Sequence, residues 1–409
     1  MPHQFKRRTS GNRMADTAKT TEKKGANTRL AHAGYEPRGF HGFVNPPVVH
    51  ASTVLYPDAR TMEARDQKYT YGLRGTPTTE ALASAIDELE GSAGTIIVPS
   101  GLAAITVPFL GVLSAGDHVL VVDSVYSPTR NFCDTMLKRM GVETTYYDPR
   151  IGSSIAELIR DNTKLVHTEA PGSNTFEMQD IPAIVDAAHA RGVLVSMDNT
   201  WATPLYFRAL DFGVDLSIDA ATKYPSGASD VLLGTVSANE AAWADLRQSQ
   251  LTLGVCAGPD DCYLVMRGLR SMGVRLERHR LSALDLAERL EKAEGVARVL
   301  HPGLASHPDH AIFKRDFSGS SGIFSIVLDA PDPETHRAKA HAFLDALEIF
   351  GLGYSWGGFE SLAVHASLDD RTVAKPPEEG PVMRLQIGLE DPDDLMRDLD
   401  RALEATASV

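Results

Sequence analysis

Three stretches of the chain carry residues whose types and placement could do chemistry. In DLSIDAATKYPSG an apolar run delivers Lys223 into a loop of small and polar residues. An amine in such surroundings loses part of its preference for the charged form and, once neutral, can attack an aldehyde. In VLVSMDNTW a second apolar run brings Asp198 to the carboxyl end of an expected strand, the edge at which open α/β sheets bind ligands. A carboxylate there stays charged if it meets a cation, and a protonated pyridine nitrogen would qualify. In TIIVPSGLAAITV a strand ends at Ser100-Gly101 and opens directly into a helix, whose first N–H groups and dipole suit a phosphate. Each stretch alone has an ordinary explanation: a surface lysine, an aspartate capping the next helix, a plain strand-to-helix junction. Together they set out phosphate turn, carboxylate and lysine on successive strand ends, with Lys223 lying 25 residues after Asp198. Pyridoxal phosphate requires those parts: a phosphate anchor, a partner for the ring nitrogen and a Schiff-base amine. Neither G-x-G-x-x-G nor G-K-[ST] is present to suggest a dinucleotide or nucleoside triphosphate.

The elements that must position these residues read as α/β. Short apolar runs TIIV, HVLVV, LVHTEA, VLVSMD and DLSID alternate with helical stretches, which predicts parallel strands with crossover helices on both faces, an α/β domain. Ahead of them, TEALASAIDELEG places Leu82, Ala85, Ile86 and Leu89 at helical spacing, with Thr79 as the expected cap and Gly91 at the stop. Residues 34–78, rich in Gly, Pro, Tyr and Thr, lack sustained periodicity and read as an extended arm of the kind that reaches a partner subunit. Beyond about Arg270 come a polar helix around ALDLAERLEKAEG, a strand in GIFSIVLD and a closing helix in DDLMRDLDRALEA, a smaller α+β unit. The expected division is 1–75 for a disordered N-terminus and arm, 76–269 for the α/β domain and 270–409 for the α+β domain.

Bulk properties narrow the function classes. Of 409 residues 43% are hydrophobic and 23% charged, as in an ordinary globular chain. A net charge of -14 argues against the basic footprint that nucleic acid or anionic lipid would call for. No apolar run reaches the ~18 to 20 residues needed to cross a bilayer. The three cysteines, Cys133, Cys256 and Cys262, form no C-x-x-C pair and suggest reduced thiols in the cytoplasm. The first two dozen residues are basic without an apolar core, which fits a disordered extension rather than a secretory signal, and Met14 offers a second start.

Seven stretches in order, YGLRGTPT, PSGLAA, MDNTWATP, AATKYPSGASDVLLG, RGLRSMGVRLERH, YSWGGFESL and RLQIGLEDPDDL, resemble the Cys/Met-metabolism enzymes of the fold-type I pyridoxal-phosphate group. The resemblance runs from about Thr28 to the C-terminal helix. It implies a fold-type I transferase-like architecture, with a large, mixed, mostly parallel sheet and a smaller C-terminal α+β domain, and pyridoxal 5'-phosphate as cofactor. It also implies a homotetramer built from dimers that share active sites, and a carbon–sulfur lyase of methionine biosynthesis. The reaction implied is β-elimination of L-cystathionine to homocysteine, pyruvate and ammonia. A cystathionine γ-synthase, a γ-lyase, an O-acylhomoserine sulfhydrylase, or a non-catalytic pyridoxal-phosphate-binding protein stay open beside it.

Carried over residue by residue, the resemblance implies that Lys223 holds the cofactor covalently and moves protons, and that Asp198 pairs with the ring nitrogen. Tyr126 in DSVYSP would stack on the ring and help position or deprotonate the substrate; its plain alternative is a core tyrosine. Gly101 and Leu102 would offer backbone N–H groups to the phosphate, Thr222 a hydroxyl, and Tyr71 would reach the phosphate of a neighbouring subunit. Arg384 in MRLQIGLE would clamp the substrate α-carboxylate, with Ser355 and Trp356 lining the same site. Two departures from the pattern stand out: Leu73 where many relatives place a phosphate-binding arginine, with Arg74 one position later, and Ala220 where many carry serine. Of the rest, His301, His307 and His310 in HPGLASHPDH read as a flexible loop rather than a metal site, and Cys133 as a core residue.

Overall fold

A computed structural model describes residues 24–34, 36–407 and 409; the N-terminal extension and the two start positions expected above lie outside the described residues. The centre is a seven-stranded sheet: β1 Gly94–Val98, β2 His118–Val122, β3 Glu143–Tyr147, β4 Thr163–Glu169, β5 Leu194–Asp198, β6 Leu216–Asp219 and β7 Gly234–Ala238. Their order is β1-β7-β6-β5-β4-β2-β3, parallel except for β7, which runs antiparallel to both neighbours. β2, covered on both faces, is uniformly apolar after its first residue, as parallel strands between helical layers require.

The five strands expected from apolar runs are β1, β2, β4, β5 and β6. β3 at the sheet edge and β7 were not foreseen. β3 is the polar run ETTYY, half-exposed along much of its length, and β7 is GTVSA, too short and small to stand out.

A second sheet has the order β10-β11-β12-β9-β8, from β8 Val296–Leu300, β9 Ile323–Leu328, β10 Gly351–Leu352, β11 Leu362–His365 and β12 Val382–Gln386. The C-terminal helix Pro392–Thr406 buries Leu395, Leu399, Ala402 and Leu403 on the core of this sheet.

The two sheets are joined by one helix, Pro259–Leu290, 32 residues long, so the expected boundary at residue 270 falls inside a continuous element. Its N-terminal part packs Val265, Leu269, Met272 and Leu276 against Leu30, Leu82 and Ala85, and its C-terminal part packs Ala283, Leu286 and Leu290 against Phe324 and Ile326.

The helix Pro77–Glu90 is capped by Thr76, whose hydroxyl accepts from the N–H of Thr79 while the Thr79 hydroxyl accepts from the N–H of Thr76. The expected cap, Thr79, is therefore the third helical residue of a reciprocal capping box, and Pro77 supplies the fixed φ of the first turn. Gly91 ends the helix as expected, at φ +71. The arm before it is irregular apart from the helix Ala59–Ala64 and two short 3-10 turns, and is tied down where the Thr78 hydroxyl donates to the Pro47 carbonyl at 2.7 Å.

Candidate active site

Lys223 lies in the connection between β6 and β7, neighbouring antiparallel strands, so its loop leaves and returns to the same part of the sheet. The loop is closed at its base where Thr222 N–H donates to the Leu233 carbonyl at 3.0 Å and Leu233 N–H donates to the Thr222 hydroxyl at 2.9 Å. On one side it rests on the turn at Ser100-Gly101: a Cβ built on Gly101 would stand 2.6 Å from the Cβ of Ala220. Gly101 has no side chain because the phosphate turn and the lysine loop touch there, and Ala220 suits that contact by being small. On the other side Gly357, at φ +80, leaves only 3.0 Å between a built Cβ and the Lys223 Cβ, which fixes the YSWGG turn against the lysine.

A cavity of about 250 Å³ opens between these elements and the second sheet, and Lys223, Asp198, Tyr126, Gly101, Leu102, Thr222, Trp356 and Arg384 all line it. The Lys223 amine donates to the hydroxyl of Ser355 at 2.9 Å and sits 5.0 Å from the centre of the Trp356 ring. Asp198 ends β5. Its Oδ1 accepts from the N–H of Thr200 at 3.0 Å and from the Thr200 hydroxyl at 2.5 Å, and it caps no helix. Arg384 projects from β12 and donates to the Tyr354 carbonyl at 2.6 Å and to Oδ1 of Asn174 at 3.4 Å. Tyr126 is 44% exposed at the mouth, a cavity residue and not a core one.

The charges are unusual for their types. Burial, helped by the Arg384 charge and opposed by Asp198, brings the Lys223 amine down to about 8. Burial raises the Asp198 carboxyl and the Tyr126 phenol above their ordinary ranges, and lowers the Arg384 guanidinium to about 10. A lowered lysine and a raised carboxylate in one cavity mark a place where protons can be moved near neutral pH.

The helix Gly101–Val112 begins at this cavity with Ser100 as its cap, the Ser100 hydroxyl accepting from Ala103 N–H at 3.1 Å. The N–H groups of Gly101 and Leu102 precede any intrahelical acceptor, and both residues line the cavity, an arrangement suited to an anion. The Thr222 hydroxyl also lines the cavity but is engaged with Leu233, donating to its carbonyl at 3.1 Å and accepting its N–H. Tyr71 is not brought to this cavity. It bridges to Thr53, is 53% exposed, and lines a separate groove with Leu73, Arg74 and Arg247. The histidine segment is packed rather than loose: His301 and His307 are buried, and each accepts a nearby backbone N–H.

Three residues of the site escaped the sequence reading. Glu169 ends β4 in register with Asp198, accepts from Tyr126 N–H at 2.7 Å, and is held well above the ordinary carboxylate range by burial and by Asp198. The strand-end position of LVHTEA could have flagged it. Thr200 links Asp198 to the lysine loop, its hydroxyl accepting from Ala220 N–H at 2.9 Å. Asn174, which supports Arg384, sits in the left-handed region at φ +67, and nothing in its sequence neighbourhood announces that.

These residues fit pyridoxal phosphate on the structure's own terms. A lysine of lowered basicity has a hydroxyl partner and no carboxylate within ion-pair distance among the described residues. An aspartate with one oxygen engaged by Thr200 suits a cationic ring nitrogen, and a helix N-terminus suits a phosphate. Among the described residues no cluster of three or more metal-ligating side chains is present.

Comparison with known proteins gives the same direction. A family model described as Cys/Met metabolism PLP-dependent enzyme matches residues 27–404. A Rhizobium johnstonii protein whose name is a provisional cystathionine beta-lyase is 67% identical over 396 residues, covering 97% of this chain and 100% of that protein. Cystathionine beta-lyase MetC of Escherichia coli is 40% identical over 384 residues, covering 91% of this chain and 96% of its own. Among solved structures, cystathionine gamma synthase of Xanthomonas oryzae, in complex with aminoacrylate and cysteine, superposes with a TM-score of 0.86 at 31% identity. That match covers 95% of this chain and 100% of the other.

Proposed function

The chain belongs to the Cys/Met metabolism PLP-dependent enzymes, and from that premise we infer a carbon–sulfur lyase that converts L-cystathionine to homocysteine, pyruvate and ammonia. The observation that carries the reading is the Lys223 amine, brought to about 8 inside a cavity it shares with Asp198 and Arg384. Pyridoxal phosphate, when bound, supplies a carbonyl carbon that joins an amino-acid nitrogen and a ring that takes up the electron pair left at the α-carbon.

The protein's own groups do the rest. Lys223 would hold the cofactor through its amine and, when free, would take the α-proton at Nζ, a transfer favoured by a basicity near neutral pH. Asp198 would keep a proton on the ring nitrogen. Arg384 takes the α-carboxylate with the donors that Tyr354 and Asn174 leave unused. Tyr126, its phenol kept protonated by burial, would cover the ring and guide the substrate amine. Gly101 and Leu102 would hold the phosphate with Thr222 nearby, and Ser355 and Trp356 shape the space beside the lysine. The bond broken joins the substrate's β-carbon to sulfur; the thiolate leaves as homocysteine after protonation, and water completes pyruvate and ammonia from the remainder.

Tyr71 is assigned to the phosphate of a partner subunit, in a homotetramer of active-site-sharing dimers. Its exposure supports that role, as does that of Phe43 and Leu55 on the same arm, 72% and 85%. We place the protein in the cytoplasm, in keeping with three unpaired thiols. The likeness to the Xanthomonas synthase favours γ-replacement as the second reading. Incubating the holoprotein with L-cystathionine separates them. Pyruvate with homocysteine, absent in Lys223→Ala, is expected; 2-oxobutyrate with cysteine would overturn β-elimination in favour of γ-elimination, and no keto acid would overturn it in favour of γ-replacement.

A further inference from the structure

The wall that supports Arg384 is a strained loop stapled by an arginine from the second sheet's side. In the segment 171–177, Asn174 and Phe176 both stand in the left-handed region, at φ +67 and +59, an arrangement that costs free energy for residues with a Cβ and more for a bulky one. The side chain of Arg371, only 3% exposed, reaches into this loop. It pairs with Glu177 at 3.0 Å, donates to the Ser173 carbonyl at 3.0 Å, and donates to the hydroxyl of Thr175. The Thr175 hydroxyl in turn donates to Glu177 at 2.6 Å. Ser173 and Thr175 are the two residues flanking Asn174, so Arg371 fixes the backbone on either side of the residue whose Oδ1 accepts from Arg384.

The segment bearing Arg371 is itself anchored. The buried Asp123 carboxylate accepts the N–H groups of Thr372, Val373 and Ala374, at 2.6 to 3.1 Å, and pairs with Arg130 at 2.6 Å. The strut thus has a fixed foot and grips the loop at three points.

We propose that Arg371 is a positioning residue for substrate binding: through the residues flanking Asn174 it holds the carboxamide that orients Arg384 toward the substrate α-carboxylate. The proposal rests on the reading of Arg384 as the carboxylate clamp. Arg371 touches no reacting atom, so its loss should weaken binding of the substrate while leaving chemistry at Lys223 in place. That pattern is a raised KM with kcat nearly kept.

The test uses the holoenzyme and two substrates, L-cystathionine and its α-carboxamide analogue. Arg371→Met and Asn174→Gly, the latter able to keep the left-handed backbone without the carboxamide, should each raise KM for the acid about tenfold, as expected for losing hydrogen bonds to a charged group. kcat should move by less than about threefold. Both should narrow the preference for acid over amide, the double variant should be little worse than either single one, and Arg371→Lys should recover part of the loss. Arg384→Ala separates the two claims. If it keeps the acid preference, the clamp reading falls and takes this proposal with it. If it abolishes the preference while Arg371→Met and Asn174→Gly leave KM unchanged, the clamp stands and the positioning role of Arg371 is refuted. Should Arg371→Met fail to fold, Arg371→Lys decides, since it keeps the charge beside Glu177 but not the three-point grip: a raised KM for the acid with kcat kept supports the role, and a parent-like KM refutes it.

Discussion

In cofactor-free protein the Lys223 amine should react with an acylating reagent along a titration centred near pH 8. Its basicity lies below the ~10.4 of an exposed lysine, so at pH 9 most of it is neutral and nucleophilic while surface lysines remain mostly charged. Competitive labelling read by peptide mass spectrometry would check this; half-reaction above about pH 10 would mean that burial does not act on it. Lys223 and Asp198 were legible in the sequence because a short apolar run followed by one polar residue is a linear signal for a strand end. Glu169 carries the same signal in LVHTEA but faces no partner in a linear reading: its significance comes from lying in register with Asp198, which only strand order reveals. Asn174 and Arg371 were out of reach for a different reason. One depends on a backbone conformation and the other on a contact spanning 198 residues of chain, from Arg371 to the Ser173 carbonyl.

At the level of elements, the long helix Pro259–Leu290 shows where periodicity misleads. Gly268 and Gly273 in its first half weaken the helical signal, so the helix seemed to begin only beyond Arg270. Both glycines are contact points. A Cβ on Gly268 would stand 2.2 Å from the Pro225 carbonyl oxygen and 2.3 Å from that of Ser226, and one on Gly273 would stand 2.1 Å from the Asn27 side chain. Pro225 and Ser226 belong to the loop of Lys223, so this helix is the floor on which the lysine rests. Gly268→Ala, favourable by helix propensity, should therefore lower the melting temperature by several degrees and weaken cofactor retention, read as loss of the visible absorbance band on dialysis. A variant as stable and as coloured as the parent would show that the loop yields without consequence. The capping box at Thr76 and Thr79 teaches a related lesson: both threonines were in view, but which one leaves the helix is settled by backbone geometry.

For the whole molecule, the assignment of Tyr71 to a partner's site predicts complementation. Tyr71→Ala and Lys223→Ala should each be nearly inactive alone. Co-expressed, they should recover a substantial fraction of activity, because a mixed dimer assembles one site with both residues intact. Activity no greater than the sum of the separate variants would assign Tyr71 a role within its own chain. Composition and alternation sufficed to read the α/β class and the smaller C-terminal sheet, since both follow from local pattern. The antiparallel insertion of β7 and the sharing of one helix by two cores were not readable, since both are settled by packing between distant segments.

That shared helix also limits how the gene could be recombined. A crossover at residue 270 would cut a continuous rod, leaving Leu269 without the turns that follow it and separating Met272 and Leu276 from the core they fill. A C-terminal unit cut at residue 270 is therefore not an interchangeable cassette. Chimaeras between relatives should tolerate a junction in residues 291–295, the turn before β8, where Gly295 adopts φ +84, far better than one anywhere along the rod.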